Sequence, residues 1–374
     1  MNLPEPDFVA DQQAWQACLR HLQSEPRLAI DLEANSMYAY REQICLIQIS
    51  VTGQDYIIDP VAEIDLKGLG VIIEDAAVEK IFHAAEYDLT LLKREHGWRC
   101  QNLFDTMWAA RILGYRRYGL ANLLAQFFNV EQNKKFQKSN WCKRPLSSEQ
   151  LHYAQTDTHF LIRLRNRLAE ELIMQDCKEE ALEIFAEQTE VTPNNQEFDP
   201  NGFWSVSGAY DLTKQQQAVL KALYAFRDQE AERRDQPLFK IFGDKTLIGL
   251  AQECPTSLRE MQSVHGMSNG QIRRYGRQLL GVIAEGKQAA PPPYPKRNKR
   301  PPDSVCNRYE KLHTWRKLTA QKRGVESDVI LSRDAMWAIA RQNPQNQEQM
   351  SQIEQIGDWR CQAYGEEIIQ LLHG

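Results

Sequence analysis

The sequence predicts an α/β domain over the first half of the chain and two all-α domains over the second. Three observations point there. Residues 1–185 alternate strand-like and helix-like segments, strands coming first. From residue 209 onward only helical periodicity remains. That second half also repeats itself, at an offset of 89 residues and without a gap.

Phe8-Val9-Ala10 reads as a short strand running into a helix that ends at Leu22, and Leu28–Leu32 as an apolar strand. Ile44–Val51 and Tyr56–Asp59 are rich in β-branched and aromatic residues. They flank Thr52-Gly53-Gln54-Asp55, a hairpin signal. Val71–Asp75 reads as helix, Lys80–His83 as strand and Asp88–His96 as helix. Asp105-Thr106 caps a further helix over Met107–Leu113. Helices then dominate from Leu120 to Gln188.

Residues 191–208 form a connecting segment, with Pro193, Asn194, Asn195, Pro200, Gly202 and Gly208 as breakers. Phe203 and Trp204 within it are expected to pack against a neighbour. In the repeat, Ala231 matches Ala320, Arg234 matches Arg323, Ile241 matches Ile330 and Ala251 matches Ala340. Pro255 matches Pro344, Met261 matches Met350, and Tyr275-Gly276 matches Tyr364-Gly365. Each copy reads as several short amphipathic helices, Val219, Leu220, Leu223 and Phe226 marking one apolar face. Between the copies lies a proline-rich basic linker carrying Lys296, Arg297, Asn298, Lys299 and Arg300. The expected domains are therefore 1–190, 209–288 and 304–374, joined by the connector and by the linker 289–303.

An apolar content of 42% and a charged content of 25% are those of an ordinary globular protein. No apolar run is long enough to span a bilayer, and the first residues lack the order of a signal peptide, so the expectation is a cytoplasmic protein with no membrane partner. The eight cysteines contain no C-x-x-C pair, which argues against a zinc or redox motif; they are expected to be free thiols. The net charge of −5 conceals an asymmetry. Residues 1–85 carry 14 acidic and 5 basic side chains, whereas residues 287–323 carry 11 basic and 2 acidic. A local basic stretch suffices to attract phosphates.

The candidate chemistry lies in four carboxylates. Asp31 and Glu33 close the strand Leu28–Leu32, and residues two apart on a strand share a face. Two acids at the end of a buried strand repel and lose hydration unless a cation compensates. A solvent-facing D-x-E pair, by contrast, commonly has no role at all. Asp88 stands in the first turn of a helix, where the helix dipole alone would explain an acid. Asp157 has Tyr153 four residues upstream and His152 five upstream. At about 100° per residue, Tyr153 lies about 40° from Asp157 and His152 about 140° away. Ser147-Ser148-Glu149-Gln150 fits a capping box, so the helix already runs at His152 and turns that side chain away. Hard divalent cations take several oxygen ligands, and two of them can clamp a phosphate under in-line attack.

Asp105 reads as a helix cap rather than as a fifth ligand. His83 could face a substrate phosphate or be a satisfied structural histidine. Lys134, Lys135, Lys138, Lys143 and Arg144 interleave with Phe136 and Trp141, a pattern that can hold a single strand and can equally be a solvated loop. Gly281 to Gln288 nearly matches a phosphate loop, but it ends a helix and lacks the final Ser or Thr; no nucleotide cofactor is expected.

Taken together these motifs resemble the ribonuclease D family of DEDD exonucleases. The resemblance rests on Asp31-Leu32-Glu33, on His83 through Asp88, and on Tyr153 through Asp157. Cys45-Leu46-Ile47-Gln48, Phe104-Asp105-Thr106 and Trp141 through Leu146 add to it, and the repeated modules resemble HRDC (helicase and RNase D C-terminal) domains. The resemblance implies an RNase H-like α/β core, two Mg²⁺ or Mn²⁺ ions, and 3′→5′ trimming of RNA, notably tRNA precursors, to nucleoside 5′-monophosphates. It implies Asp31, Glu33, Asp88 and Asp157 as metal ligands and Tyr153 as the residue that orients water. Candidate RNA contacts are His83, Lys138, Trp141 and Arg144. The family often has an aromatic directly after the glutamate; here that residue is Ala34, so Tyr40 is the candidate to stack on the terminal base. A DNA exonuclease and a non-catalytic nucleic-acid-binding protein are the rival readings. A contact to the 2′-hydroxyl would separate the first from an RNA enzyme.

Overall fold

The computed structural model describes residues 3–132, 134–193, 197–296 and 299–374. Asn194 and Asn195 of the connector, Arg297 and Asn298 of the linker, and the Lys134 side chain lie outside the described residues. The chain forms two units. One comprises Met1–Ala34, Ile44–Pro193 and Arg300–Gly374; the other comprises Asn35–Gln43 and Asn194–Lys299.

The first unit begins with β1 (Asp7–Val9), α1 (Gln12–Leu22), β2 (Arg27–Ala34), β3 (Ile44–Val51) and β4 (Gln54–Ile58). It continues with α2 (Lys67–Ile73), β5 (Glu79–Phe82), α3 (Glu86–His96), β6 (Leu103–Asp105) and α4 (Thr106–Ile112). Then follow α5 (Leu120–Phe128), a 3₁₀ turn (Lys134–Phe136), α6 (Ser148–His159), α7 (Leu161–Met174) and α8 (Lys178–Thr189). The six strands form one mixed sheet in the order β1-β4-β3-β2-β5-β6. β2 is central, antiparallel to β3 and parallel to β5. All eight residues of β3 are buried, as expected of a strand covered on both faces. Asp31 lies opposite Gln48 and Glu33 opposite Leu46 across the β2–β3 ladder.

Local chemistry sets the element ends. Asp11 accepts from the Ala14 amide at 2.8 Å and starts α1, which buries Trp15, Cys18 and Leu22 at helical spacing. Ser147 and Gln150 form the expected capping box at the start of α6. Lys80 of β5 is fully buried, and its ammonium donates to the carbonyls of Ile72, Asp75 and Val78. Two features escaped the sequence pattern. Helix α2 begins four residues before Val71, and β6 is only three residues long, too short to show a period.

The second unit contains the first helical module: α9 (Lys214–Arg234), α10 (Leu238–Ile241), α11 (Asp244–Glu253), α12 (Leu258–Met261) and α13 (Asn269–Gln288). The second module, in the first unit, is α14 (Asp303–Arg323), α15 (Ser327–Ile330), α16 (Arg333–Gln342), α17 (Gln347–Ser351) and α18 (Asp358–His373). The expectation of several short helices needs correction: each module opens on a 21-residue helix and closes on a long one. The Thr213–Gln216 capping box starts α9, and Asp235 in the left-handed region ends it. Phe203 and Trp204 pack into the core of the first module.

Candidate metal-dependent nuclease site

Strand β2 carries Asp31 and Glu33 on one face at the centre of the sheet, a register its partners β3 and β5 fix. Helix α3 brings Asp88 in its first turn, and α6 brings Tyr153 and Asp157 one turn apart. The turn between β5 and α3 is held by Asp105. Its carboxylate accepts from the amides of Ala84 (3.1 Å), Ala85 (2.8 Å), Met107 (2.8 Å) and Trp108 (3.2 Å). Ala84 has φ of 65°, a region side-chain-bearing residues seldom occupy, so the turn needs this external restraint. Asp105 is thus the N-cap of α4 and at the same time the anchor that sets Asp88 on its helix.

Asp31, Glu33, His83, Asp88, Tyr153 and Asp157 all line one cleft of about 510 Å³. Each of Asp31, Glu33 and Asp157 offers an oxygen within 4.8 Å of the others. Among the described residues no lysine or arginine lines this cleft. The electrostatic result is visible in every acid. Burial pushes Asp31 up to about 7, against the pull of the Leu32 amide. Glu33 is pushed up to about 10 by burial and by Asp31, Asp157 and Asp88. Asp88 is held well above the carboxylate range by burial, then by Asp31, Asp105 and Asp157. Asp157 is raised by burial and Asp31, opposed by the Gln132 amide that donates to it. Four mutually repelling carboxylates without a cationic side chain fit a site for divalent cations.

Tyr153 is buried, and its pKa is raised by burial, Asp157, Glu33 and Asp31. Gln137 donates to its oxygen. Its ring is stacked on Trp141, with centroids 5.9 Å apart, and tilted against Phe136. His152, by contrast, is exposed and does not line the acidic cleft. It borders a neighbouring hollow of about 690 Å³ that shares Gln132 and Tyr153 with the acidic cleft.

A family model described as a 3′–5′ exonuclease matches residues 6–173, and one described as an HRDC domain matches residues 216–283 and 307–372. Ribonuclease D of Acidiphilium cryptum is 27% identical over 381 residues, covering 100% of this chain and 94% of that protein. The chain is similar to ribonuclease D along its whole length, and carries a 3′–5′ exonuclease domain followed by two HRDC domains. The crystal structure of Escherichia coli ribonuclease D, described as an exoribonuclease involved in structured RNA processing, superposes with a TM-score of 0.69. At 24% identity and 99% coverage of both chains, that likeness establishes the fold. The exosome complex component 10 homolog of Caenorhabditis elegans is 30% identical over 288 residues, 75% of this chain. This chain spans 32% of the worm protein's length.

Within this ribonuclease D-type fold, several expected RNA contacts lie elsewhere. Trp141 is only 1% exposed, and its place is beneath Tyr153 rather than against a base. The Arg144 guanidinium is consumed by Asp59 (two bonds of 2.5 Å) and by the carbonyls of Trp141 and Cys45. It is a clamp between the 137–147 loop and the sheet. Tyr40 does not line the cleft: its hydroxyl donates to Asp228 of α9 and its amide to Asp235. Lys138 is exposed and lines none of the described clefts around the acids. The free-thiol expectation also fails at two positions. Cys45 of β3 and Cys142 of the Trp141 loop form a disulfide across a sequence separation of 97, while the other six cysteines are free. Packing of that loop on β3 brings the two together, and nothing in their spacing reveals it.

Two residues escaped sequence reasoning. Gln132 touches Asp157 from a segment with no motif. Gln48 is fully buried and stands opposite Asp31, yet neither its amide nitrogen nor its oxygen has a hydrogen-bond partner. An orphaned buried amide carries a cost of about 1–3 kcal/mol. Its membership of the Cys45–Gln48 motif was the available signal.

Proposed function

We propose that this protein is a metal-dependent 3′–5′ exoribonuclease that trims the 3′ ends of tRNA precursors and other small RNAs, releasing nucleoside 5′-monophosphates. The observation that carries the reading is the convergence of Asp31, Glu33, Asp88 and Asp157 on one cleft that no lysine or arginine lines among the described residues. The kinship with ribonuclease D supports it.

In this reading Asp31, Glu33, Asp88 and Asp157 hold two divalent cations, Mg²⁺ or Mn²⁺. Such cations, when bound, neutralise phosphate charge and acidify water for in-line attack. The chain's own residues do the rest. Tyr153 stays protonated because burial and the neighbouring acids oppose its ionisation. With Gln137 donating to the phenol oxygen, the hydroxyl hydrogen is directed elsewhere and can orient the water. Trp141 and Phe136 hold the ring in place. The bond broken joins phosphorus to the 3′ oxygen of the upstream nucleotide, so the departing nucleotide keeps its 5′-phosphate. The helical modules and the basic linker add affinity for RNA that does not depend on sequence.

The test is incubation with Mg²⁺ or Mn²⁺ and a 3′-extended tRNA beside a matched DNA, followed by product sizing. RNA should shorten one nucleotide at a time, and Asp31→Asn should lower the rate roughly a hundred- to a thousandfold. In chelator the variant should melt no lower than the wild type, since a repelling charge is gone. Near wild-type turnover by Asp31→Asn would overturn the metal assignment. DNA degraded as fast as RNA would overturn the ribonuclease assignment.

A further inference from the structure

His83 follows directly on β5 and lines the acidic cleft beside Asp31, Glu33 and Asp88. Its Nδ1 lies 2.9 Å from Thr106 Oγ1. That hydroxyl donates its hydrogen to the Phe82 carbonyl at 3.0 Å. A threonine hydroxyl has one hydrogen to give, so in the Thr106 contact the histidine is the donor. The imidazole therefore carries its hydrogen on Nδ1. Burial lowers its pKa to about 4, which keeps the ring neutral. Nε2 is left as a bare lone pair, and among the described residues it has no hydrogen-bond partner.

A lone pair facing the substrate cleft is the wrong tool for phosphate, whose oxygens are themselves acceptors. It suits a donor. On any RNA end, whatever its sequence, the donors present are the ribose hydroxyls. The fixed tautomer thus favours a sugar contact over the phosphate contact that the sequence left open for this histidine. We propose that His83 reads the sugar of the 3′-terminal nucleotide, its Nε2 accepting a hydrogen bond from a ribose hydroxyl. The inference rests on the exoribonuclease reading and gives it a residue that recognises ribose.

The experiment uses the full chain with Mn²⁺ and three short RNAs of one sequence, ending in a ribonucleotide, a 2′-deoxynucleotide or a 3′-deoxynucleotide lacking only the 3′-hydroxyl. Removal of the last nucleotide is timed under single turnover for the wild type, His83→Phe and Thr106→Val. The wild type should remove the ribonucleotide about tenfold faster than one of the two deoxy ends, the scale of one lost hydrogen bond. That ratio should fall to about one in His83→Phe and to an intermediate value in Thr106→Val, where the ring loses its fixed tautomer. Each ratio is taken within one protein, so a general loss of stability cancels. Repeating the series with a terminal uridine, which has no exocyclic amino group, should leave the ratios unchanged. A ratio that survives in His83→Phe, that vanishes with uridine, or that is absent from the wild type would overturn the proposal while leaving the exonuclease reading standing. A wild type that leaves every RNA intact would remove both.

Discussion

The two helical modules descend from one pattern and have come to hold different things. Their shared architecture rests on shared residues. Arg227 donates to the Phe242 carbonyl at 3.2 Å, and Arg316, at the matching position, donates to the Leu331 carbonyl at 2.9 Å. Their partners differ because other matched positions differ. In the second module Glu326 and Asp328 bind Arg111 of α4, Arg323 binds Glu180 of α8, and Arg360 binds Glu183 and Glu187 of α8. The first module has Pro237, Phe239 and Gln271 where the second has Glu326, Asp328 and Arg360. Arg234, the counterpart of Arg323, stays within its own module on Glu230. The first module instead binds the 35–43 segment through Asp228, Asp235 and Lys240. The second module has Lys317, Gly324 and Val329 there, and Val329 joins the core of the α/β domain. A duplicated domain has thus become one piece of the nuclease body and one separate unit, by changing a handful of residues at matched positions.

The largest effect should follow deletion of residues 300–374. From the sequence, removal of residues 291–374 is expected to leave hydrolysis of a short single strand intact and to weaken binding of tRNA precursors, because Asp31, Glu33, Asp88, Tyr153 and Asp157 all lie before residue 160. The structure reverses that expectation. Deletion strands Glu180, only 1% exposed, and the buried Arg111, and it uncovers core around Val329. Breaking a buried pair such as Glu180–Arg323 costs about 3–5 kcal/mol, whereas the half-exposed partners of Arg111 weigh less. The truncated protein should unfold at far lower urea concentration or fail to fold, and circular dichroism checks it. An unchanged unfolding midpoint would show that the second module is not part of the body.

A matched pair of single substitutions sharpens the comparison. Arg323→Ala leaves Glu180 buried and unpaired, and should cost about 3 kcal/mol. Arg234→Ala leaves Glu230 with Arg233 as partner, and should cost about 0.5 kcal/mol. Equal losses in urea unfolding would mean that the two positions serve one role in both modules.

The legible part of this molecule is what short-range pattern controls. The two-residue spacing of Asp31 and Glu33 set them on one face, and the Ser147–Gln150 box turned Tyr153 toward Asp157 and His152 away. The repeat was readable because identical residues recur at one offset. What stayed hidden depends on partners far along the chain. Arg144 and Trp141 read like strand-binding residues because a basic and aromatic loop has the same composition whether it faces solvent or packs inward. Asp59, which captures Arg144, is 85 residues away, and Cys45, which bonds to Cys142, is 97 away. Tyr40 looked free to meet a base because its acceptor, Asp228, lies 188 residues downstream.

That last contact gives the smallest prediction. Tyr40 Oη lies 2.9 and 3.0 Å from the two Asp228 oxygens, and its ring packs on the core of the first module. Tyr40→Phe keeps the ring and removes only the hydroxyl. Asp228 is half-buried, so it regains some hydration and the loss stays near 1 kcal/mol. Asp228→Asn alone should cost a similar amount, and the double variant should cost less than the sum. The difference, about 0.5–1 kcal/mol from a double-mutant cycle in urea, is the hydrogen bond itself. Lys317 fills the matching place in the second module, so Lys317→Asn should show no coupling to Tyr40. Strictly additive losses at Tyr40 and Asp228 would mean that the segment after Glu33 is not held by the first module, and would return Tyr40 to the pool of residues open to RNA.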